Sequence, residues 1–364
     1  MIKFSIKMPL LNCLSNQNIW IQYFEYKVQN GHLGENEAQD LFLFIRNQKY
    51  IGILHKITAY GFSTPYKKQI HKIDSTKKRV VYTFPKEENY ILKLLTYLLI
   101  RKYDGIFSPN LYSFRADYSV KQAFQHILST SNIDQYYTYK VDISDYFNSI
   151  DLNILLPSLH KILSNDLPLY EFIKAILRNP FVIEDGKIKQ EQKGIMAGCP
   201  IAAFLANVYL SDLDKMFAEE EIIYCRYSDD IIIFTKNKDA QERIKQKLLT
   251  TLENYHLTVN TAKEVATISN EPWTFLGLKY DNGEIDISDI ALKKIKAKMR
   301  RKTRALIRWK NLKNKEPIYA VKAFINAFNK KFYNNTDVHD MTWSRWYFPL
   351  ITTDKSLRVI DQYM

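Results

Sequence analysis

Cysteine is scarce in this chain: Cys13, Cys199 and Cys225 are the three among 364 residues. Odd in number and far apart, they supply neither a disulfide framework nor a zinc knuckle, and they fit a reducing cytoplasm. The seven histidines show no metal-ligand spacing. No apolar run reaches the roughly 18 residues of a membrane span. The opening "MIKFSIKMPLLNCLSNQ" carries too short an apolar patch for a signal peptide, so a cytoplasmic protein without membrane contact is expected. Ten glycines and eleven prolines are scattered, with no internal repeat and no low-complexity linker. One absence points the other way. From Lys293 to Lys315, "KKIKAKMRRKTRALIRWKNLKNK" has twelve Lys and Arg and no acid, and accounts for most of the net charge of +13. A solvated helix usually mixes signs through i,i+4 pairs, so a run without acids is better explained by a phosphate backbone lying along it.

At 46% hydrophobic and 14% aromatic, the chain is globular and long enough for two or three subdomains. Residues 1–50 read as a helical extension. From Ile51 to Tyr82 short strands alternate with basic loops, and a strongly apolar helix follows over Glu88–Phe107. "QYYTYKVDISDYFNSID" is a strand ending at Asp142 and turning into a helix, and 152–180 reads as helices. "FVIEDGKIKQ" and "LKYDNGEIDI" are hairpins turned at Asp185-Gly186 and Asn282-Gly283. Met196–Glu220 reads as one long helix, and "YCRYSDDIIIF", Tyr224 to Phe234, as a tight hairpin with a polar tip. The sum is an α+β chain with an antiparallel sheet backed by helices.

That hairpin places Asp229 beside Asp230 between runs that want burial. Like charges so placed raise at least one pKa unless a cation sits between them. If the strand ending at Asp142 lies alongside, three carboxylates converge at one sheet end, a set suited to oxygen-preferring divalent ions. Two Mg²⁺ ions (Mn²⁺ as a substitute) in such a site activate an attacking hydroxyl and stabilise a leaving phosphate oxygen. With a basic chain around it, the site suggests nucleotidyl transfer. By spacing alone, surface carboxylates near turns remain an open alternative.

Five segments, "YKVDISDYFNSI", "KGIMAGCPIAAFLANVYL", "RYSDDIIIF", "LTVNTAKEV" and "WTFLGLKY", occur in the order and spacing of the palm motifs of reverse transcriptases. "KKRVVYTFP" and "YSFRADYSVKQAF" resemble the finger motifs that precede them. The resemblance spans Lys77 to Tyr280 and implies a right-hand polymerase fold: fingers over 51–135, palm over 136–284 with 152–192 partly returning to the fingers, and a basic helical thumb over 285–364. It implies metal ligation by Asp142, Asp229, Asp230 and the Ile143 carbonyl. Lys77 or Lys78 with Arg79 would hold the incoming triphosphate, with Arg115 near template or triphosphate. Asp145 would line the sugar 3′-OH pocket beside Tyr146, and Phe147 would be the gate that rejects a ribose 2′-OH. Lys263 would protonate departing pyrophosphate. Tyr227 and Phe275-Leu276-Gly277 would hold the primer, and Lys294, Lys298, Arg301, Arg304 and Arg308 would track duplex phosphates. The second palm motif departs from the family's Pro-Gln-Gly-Ser-Pro. Here Ala197 replaces the glutamine that packs on the nucleotide sugar, while Gly198 and Pro200 persist.

Within the family, the chain most resembles bacterial enzymes of the unknown-group, defence-associated, abortive-infection-like kind. That implies dNTP substrates, a DNA product, a noncoding RNA template, and a second reverse transcriptase or a second copy of itself as partner. Neither the Asn-Ala-x-x-His nor the Val-Thr-Gly signature of retron enzymes is present. Three rival readings stand beside this one: untemplated, repeat or protein-primed synthesis by the same site, a catalytically idle RNA-binding scaffold, and RNA synthesis from RNA, against which Phe147 speaks.

Overall fold

The two Gly-containing turns set local frames as expected. Asp185-Gly186 and Asn282-Gly283 all have φ between 48° and 84°, the backbone of a type I′ hairpin turn. The computed structural model describes residues 9–31, 33–71, 78–192, 194–333 and 342–364. Its eleven strands among these residues are β1 (Tyr66–His71), β2 (Lys78–Thr83), β3 (Tyr137–Asp142), β4 (Phe181–Glu184), β5 (Lys187–Gln190), β6 (Ile223–Tyr227), β7 (Asp230–Thr235), β8 (Val265–Thr267), β9 (Trp273–Phe275), β10 (Leu278–Asp281) and β11 (Glu284–Ile287). They form three sheets, ordered β2-β1-β4-β5, β6-β7-β3-β8 and β11-β10-β9. The β4–β5 hairpin thus returns, from a hundred residues downstream, to the sheet begun by β1 and β2, pairing Tyr66 with Ile183 in parallel.

The middle sheet carries the site. Its strand β7 lies between β6 and β3 and is buried on both faces, which is why it reads as an unbroken apolar run. The pleat sends Ile231 and Ile233 into the largest core, with Tyr224 of β6 and the helices Ala202–Tyr209 and Lys238–Asn254. Ile232 and Phe234 face a second core with Cys225, Phe124, Trp273 and Phe275. A third, smaller core joins the basic helix Asp289–Leu312 to helix Pro317–Phe332 through Ile295, Met299, Phe328 and Phe332.

Two sequence readings are corrected here. Lys49–Tyr60 is a helix, not strand and loop, because Tyr50 and Ile57 are spaced seven apart on one inward face. Met196–Glu220 is not one helix. Residues 196–201 are turns around Gly198, and the helices Ala202–Tyr209 and Ser211–Ala218 are separated at Leu210. Among the described residues no helix is long and apolar enough to cross a membrane.

Candidate active site

The antiparallel register of β3 and β7 places Asp142 directly opposite Asp230. Ser228 and Asp229 are the two central residues of the β6–β7 turn, whose ends Tyr227 and Asp230 pair. The Ile143 N–H donates to the Asp229 carbonyl at 2.9 Å, fixing the turn to the end of β3. Three carboxylates therefore meet at one sheet end. Burial pushes the Asp230 carboxyl up to about 7, helped by Asp229 and Asp142; burial and Asp142 also raise Asp229. Opposing cations are Lys263, whose Nζ donates to Asp142 Oδ1 at 2.6 Å, and Lys140, whose Nζ donates to Thr274 Oγ1. Burial holds the Lys140 amine below its usual range, and its nearness to Asp230 and Asp142 works against that.

Asn260 completes the hold on Asp142, its backbone N–H reaching the Asp142 carbonyl at 2.7 Å and its amide the Oδ2 at 3.4 Å. Among the described residues no three His, Cys, Asp or Glu side chains form a ready-made metal cage. The donor chemistry nevertheless fits Mg²⁺. All the groups are oxygens, their mutual repulsion calls for a cation, and Mg²⁺ binds through one or two carboxylates, leaving positions to water and phosphate.

The loop after Lys193 forms the floor beside Phe147. Gly194 has φ +51°, and a Cβ there would lie 2.5 Å from the Phe147 carbonyl oxygen and 2.7 Å from that of Asn148. The Ile195 N–H donates to the same Phe147 oxygen at 3.0 Å. Gly194→Ala is therefore expected to destabilise the fold by at least about 2 kcal/mol, from left-handed strain plus the clash. Thermal denaturation should show a melting temperature lower by roughly 3 °C or more. Gly52→Ala, in a helix with nothing near the new methyl, should leave it unchanged or raise it.

Ala197 is buried, and its backbone ties two elements together. Its N–H reaches Asn148 Oδ1 at 3.3 Å, and its carbonyl accepts the Tyr82 N–H of β2 at 2.7 Å. A Cβ on Gly198 would sit 2.9 Å from the Tyr82 carbonyl oxygen. The base of β2 is thus held against this loop, and its other end presents Lys78 and Arg79, both exposed. Lys77 lies outside the described residues.

Phe147 is half-buried, with Phe114 and Tyr146 edge-on at 6.2 and 5.8 Å. Asp145, at φ 43°, is exposed and accepts from Asn148.

Two expected nucleotide contacts are placed otherwise. Arg115 is buried, paired to Asp104 through Nε and Nη2 at 2.8 and 2.9 Å, donating to the Ser108 and Leu111 carbonyls and stacked on Tyr118. Its guanidinium is directed into the fold rather than toward a ligand. The Tyr146 ring is fully buried, and its hydroxyl donates to the Ala206 carbonyl at 2.6 Å.

Leu276 and Gly277 have φ of 50° and 86° in the turn between β9 and β10. The C-terminal segment covers this turn, which the sequence did not reveal. Trp346 Nε1 donates to the Leu276 carbonyl, its ring meets Tyr227 edge-on at 5.7 Å, and Tyr347 fills the space beside Gly277. Burial pushes the Tyr227 hydroxyl up to about 12. Lys294, Lys298, Arg301, Arg304 and Arg308 share one broad face of helix Asp289–Leu312, beside the face carrying Ile295 and Met299 into the core.

Comparison with known proteins agrees with this geometry. A family model described as reverse transcriptase (RNA-dependent DNA polymerase) matches residues 67–280, which include strands β2 to β9 and every acid of the cluster. The retron Ec83 reverse transcriptase of Escherichia coli is 27% identical over 134 residues, 35% of this chain and 42% of that one. A Candida tropicalis telomerase truncated from its C-terminal domain superposes with a TM-score of 0.51 at 17% identity, covering 64% of this chain and 58% of that one. Telomerase from the same organism in complex with a fragment of telomeric RNA gives 0.50 at 18%, covering 66% and 48%. None of these matches reaches two thirds of the relative's own length. The structural likeness establishes the right-hand polymerase fold, here as an α+β chain with antiparallel sheets. With the matched region spanning more than half of the residues, the chain belongs to the reverse transcriptase family.

Proposed function

We propose that this protein is an RNA-directed DNA polymerase that extends a primer with deoxynucleoside triphosphates. The observation that carries the reading is the β3–β7 register, which sets Asp142 against Asp230 with Asp229 in the adjoining turn. Asp142, Asp229, Asp230 and the Ile143 carbonyl would hold two Mg²⁺ ions, or Mn²⁺ in their place. When bound, these ions supply activation of the primer hydroxyl and stabilisation of the leaving phosphate oxygen. Lys78 and Arg79 grip the triphosphate from the free end of β2, and Asp145 and Phe147 face the sugar. Lys263 holds Asp142 in place and, once free of it, has a proton to give the pyrophosphate. Tyr227 and the Leu276-Gly277 turn seat the primer end, with Phe275 buried beneath that turn in the second core rather than at the primer, and the basic face of Asp289–Leu312 follows the duplex. A noncoding RNA is the template, and the setting is bacterial antiphage defence, in company with a second reverse transcriptase or a second copy of the chain. The kinship with a retron enzyme supports that setting.

The test is sequencing of the DNA made from the four dNTPs by protein purified with its bound nucleic acid. A defined sequence that disappears after RNase treatment is the expected result. DNA without a defined sequence, made equally well after RNase, would favour untemplated synthesis. Ala197, with no side chain to reach the nucleotide sugar, would then be the first place to look. No DNA under any condition would leave an idle RNA-binding scaffold.

A further inference from the structure

Ser228, the residue before Asp229, stands in a conformation that serine avoids. It is the first central residue of the β6–β7 turn, at φ 60°, and Asp229 after it has no positive φ. That is the pattern of a type II′ turn, whose first central position favours glycine. A non-glycine residue there costs about 1 kcal/mol and persists where its surroundings over-determine it.

Both peptide groups of Ser228 are held by side chains from elsewhere. Its N–H donates to Ser113 Oγ at 2.8 Å, and its carbonyl accepts from Arg226 Nη1 at 3.1 Å. Each holder is itself fixed. The Ser113 hydroxyl donates to Asn207 Oδ1 at 3.3 Å, and the Asn207 amide returns a bond to the Ser113 carbonyl at 2.9 Å. The hydroxyl therefore has a lone pair left for Ser228. Arg226 is fully buried and forks onto Asp214, also fully buried, through Nε at 2.7 Å and Nη2 at 2.5 Å. Its backbone is stitched to the loop carrying Ser113, with Arg226 N–H to the Asn110 carbonyl and Tyr112 N–H to the Arg226 carbonyl.

A buried ion pair is a poor source of stability, since apolar residues of similar volume often serve as well. An apolar pair could fill this space, but it could not donate to the Ser228 carbonyl. We propose that Arg226 and Ser113 are positioning residues. They clamp the strained Ser228 peptide groups from both sides and so aim Asp229 at the metal position. Neither touches the reacting atoms. The inference rests on the reading of Asp229 as a metal ligand.

The test compares Ser113→Ala, and the paired change Asp214→Leu with Arg226→Met, against Tyr224→Phe. The Tyr224 hydroxyl donates to Asp214 at 2.8 Å without reaching Ser228, so its loss perturbs the same pair but not the clamp. Two readouts are taken: the apparent Mg²⁺ affinity from thermal-shift titration, and amide hydrogen exchange of residues 226–230 in EDTA. The clamp variants should bind Mg²⁺ roughly tenfold more weakly and exchange faster in this turn, as for residues that orient metal ligands. Tyr224→Phe should stay within about twofold of wild type on the Mg²⁺ axis, whatever its melting temperature. Clamp variants that exchange at the wild-type rate, or Tyr224→Phe weakening Mg²⁺ as much as they do, would overturn the proposal. If Mg²⁺ has no effect on the wild-type protein, the two-ion reading fails, and the exchange result in EDTA still decides the clamp. Should the paired variant not fold, Ser113→Ala alone carries the comparison.

Discussion

Replacing Asp229 and Asp230 together by Asn is expected to remove nucleotide addition, by at least about 10³-fold, while making the protein in EDTA more stable than wild type. The two effects have one cause. A carboxyl whose folded pKa is raised from 3.8 to about 7 is penalised in its charged form by the fold. The stability it permits is fully present below the unfolded pKa near 4 and is lost as pH rises through 7. Above pH 7 the penalty on Asp230 is about 3 kcal/mol, from roughly 1.4 kcal/mol per pKa unit discounted for the coupling of the acids. Asparagine keeps the shape and removes the charge. Thermal denaturation in EDTA should show the wild-type melting temperature falling between pH 5 and pH 8 and the Asn variant nearly flat. Added Mg²⁺ should suppress the wild-type fall and leave the variant unmoved. A wild-type profile that is flat in EDTA, or an equal response of the variant to Mg²⁺, would sink this account of the acids.

The parts of the acid cluster were legible because each is local, whereas the β3–β7 pairing that joins Asp142 to the hairpin is not, and only the order of the family's motifs implied it. A hairpin with two residues between its ends sets Asp229 and Asp230, and a run ending in a lone Asp sets Asp142. What stayed hidden depends on pairings that no period encodes. The resemblance sets Arg115 near template or triphosphate, and nothing in its local sequence names the partner that holds it. That partner, Asp104, lies eleven residues upstream beyond a turn. Nothing in the sequence sets Asp214 apart from other helical acids, yet it is the buried counter-ion of Arg226. Trp346 and Tyr347 were dense aromatics in a tail, with nothing in their spacing to say that they cover Leu276 and Gly277. The strand-and-loop expectation from Ile51 onward fails as far as Tyr60, because burial of Tyr50 and Ile57 in the main core needs a helical spacing.

The choice of sugar is where one side chain should matter most. Phe147 stands two residues after Asp145 and five after Asp142 at the end of β3, and its ring has little freedom to withdraw. Phe114 and Tyr146 meet it edge-on, and its own carbonyl is tied by the Ile195 N–H beside a glycine with no room for a methyl group. A fixed ring rejects an added hydroxyl by overlap, whereas a mobile one would step aside at small cost. Phe147→Ala is therefore expected to raise ribonucleotide incorporation relative to deoxynucleotide by about 10²-fold, the upper end of what shape exclusion supplies. The comparison is of kcat/KM for one dNTP and its rNTP on the same primer. Most of the change should come from faster rNTP use rather than slower dNTP use. Phe114→Ala should give a smaller shift in the same direction, because it frees the Phe147 ring without removing it. An unchanged ratio in Phe147→Ala with dNTP incorporation intact would mean that the sugar is sensed elsewhere, and Asp145 would then be the residue to change next.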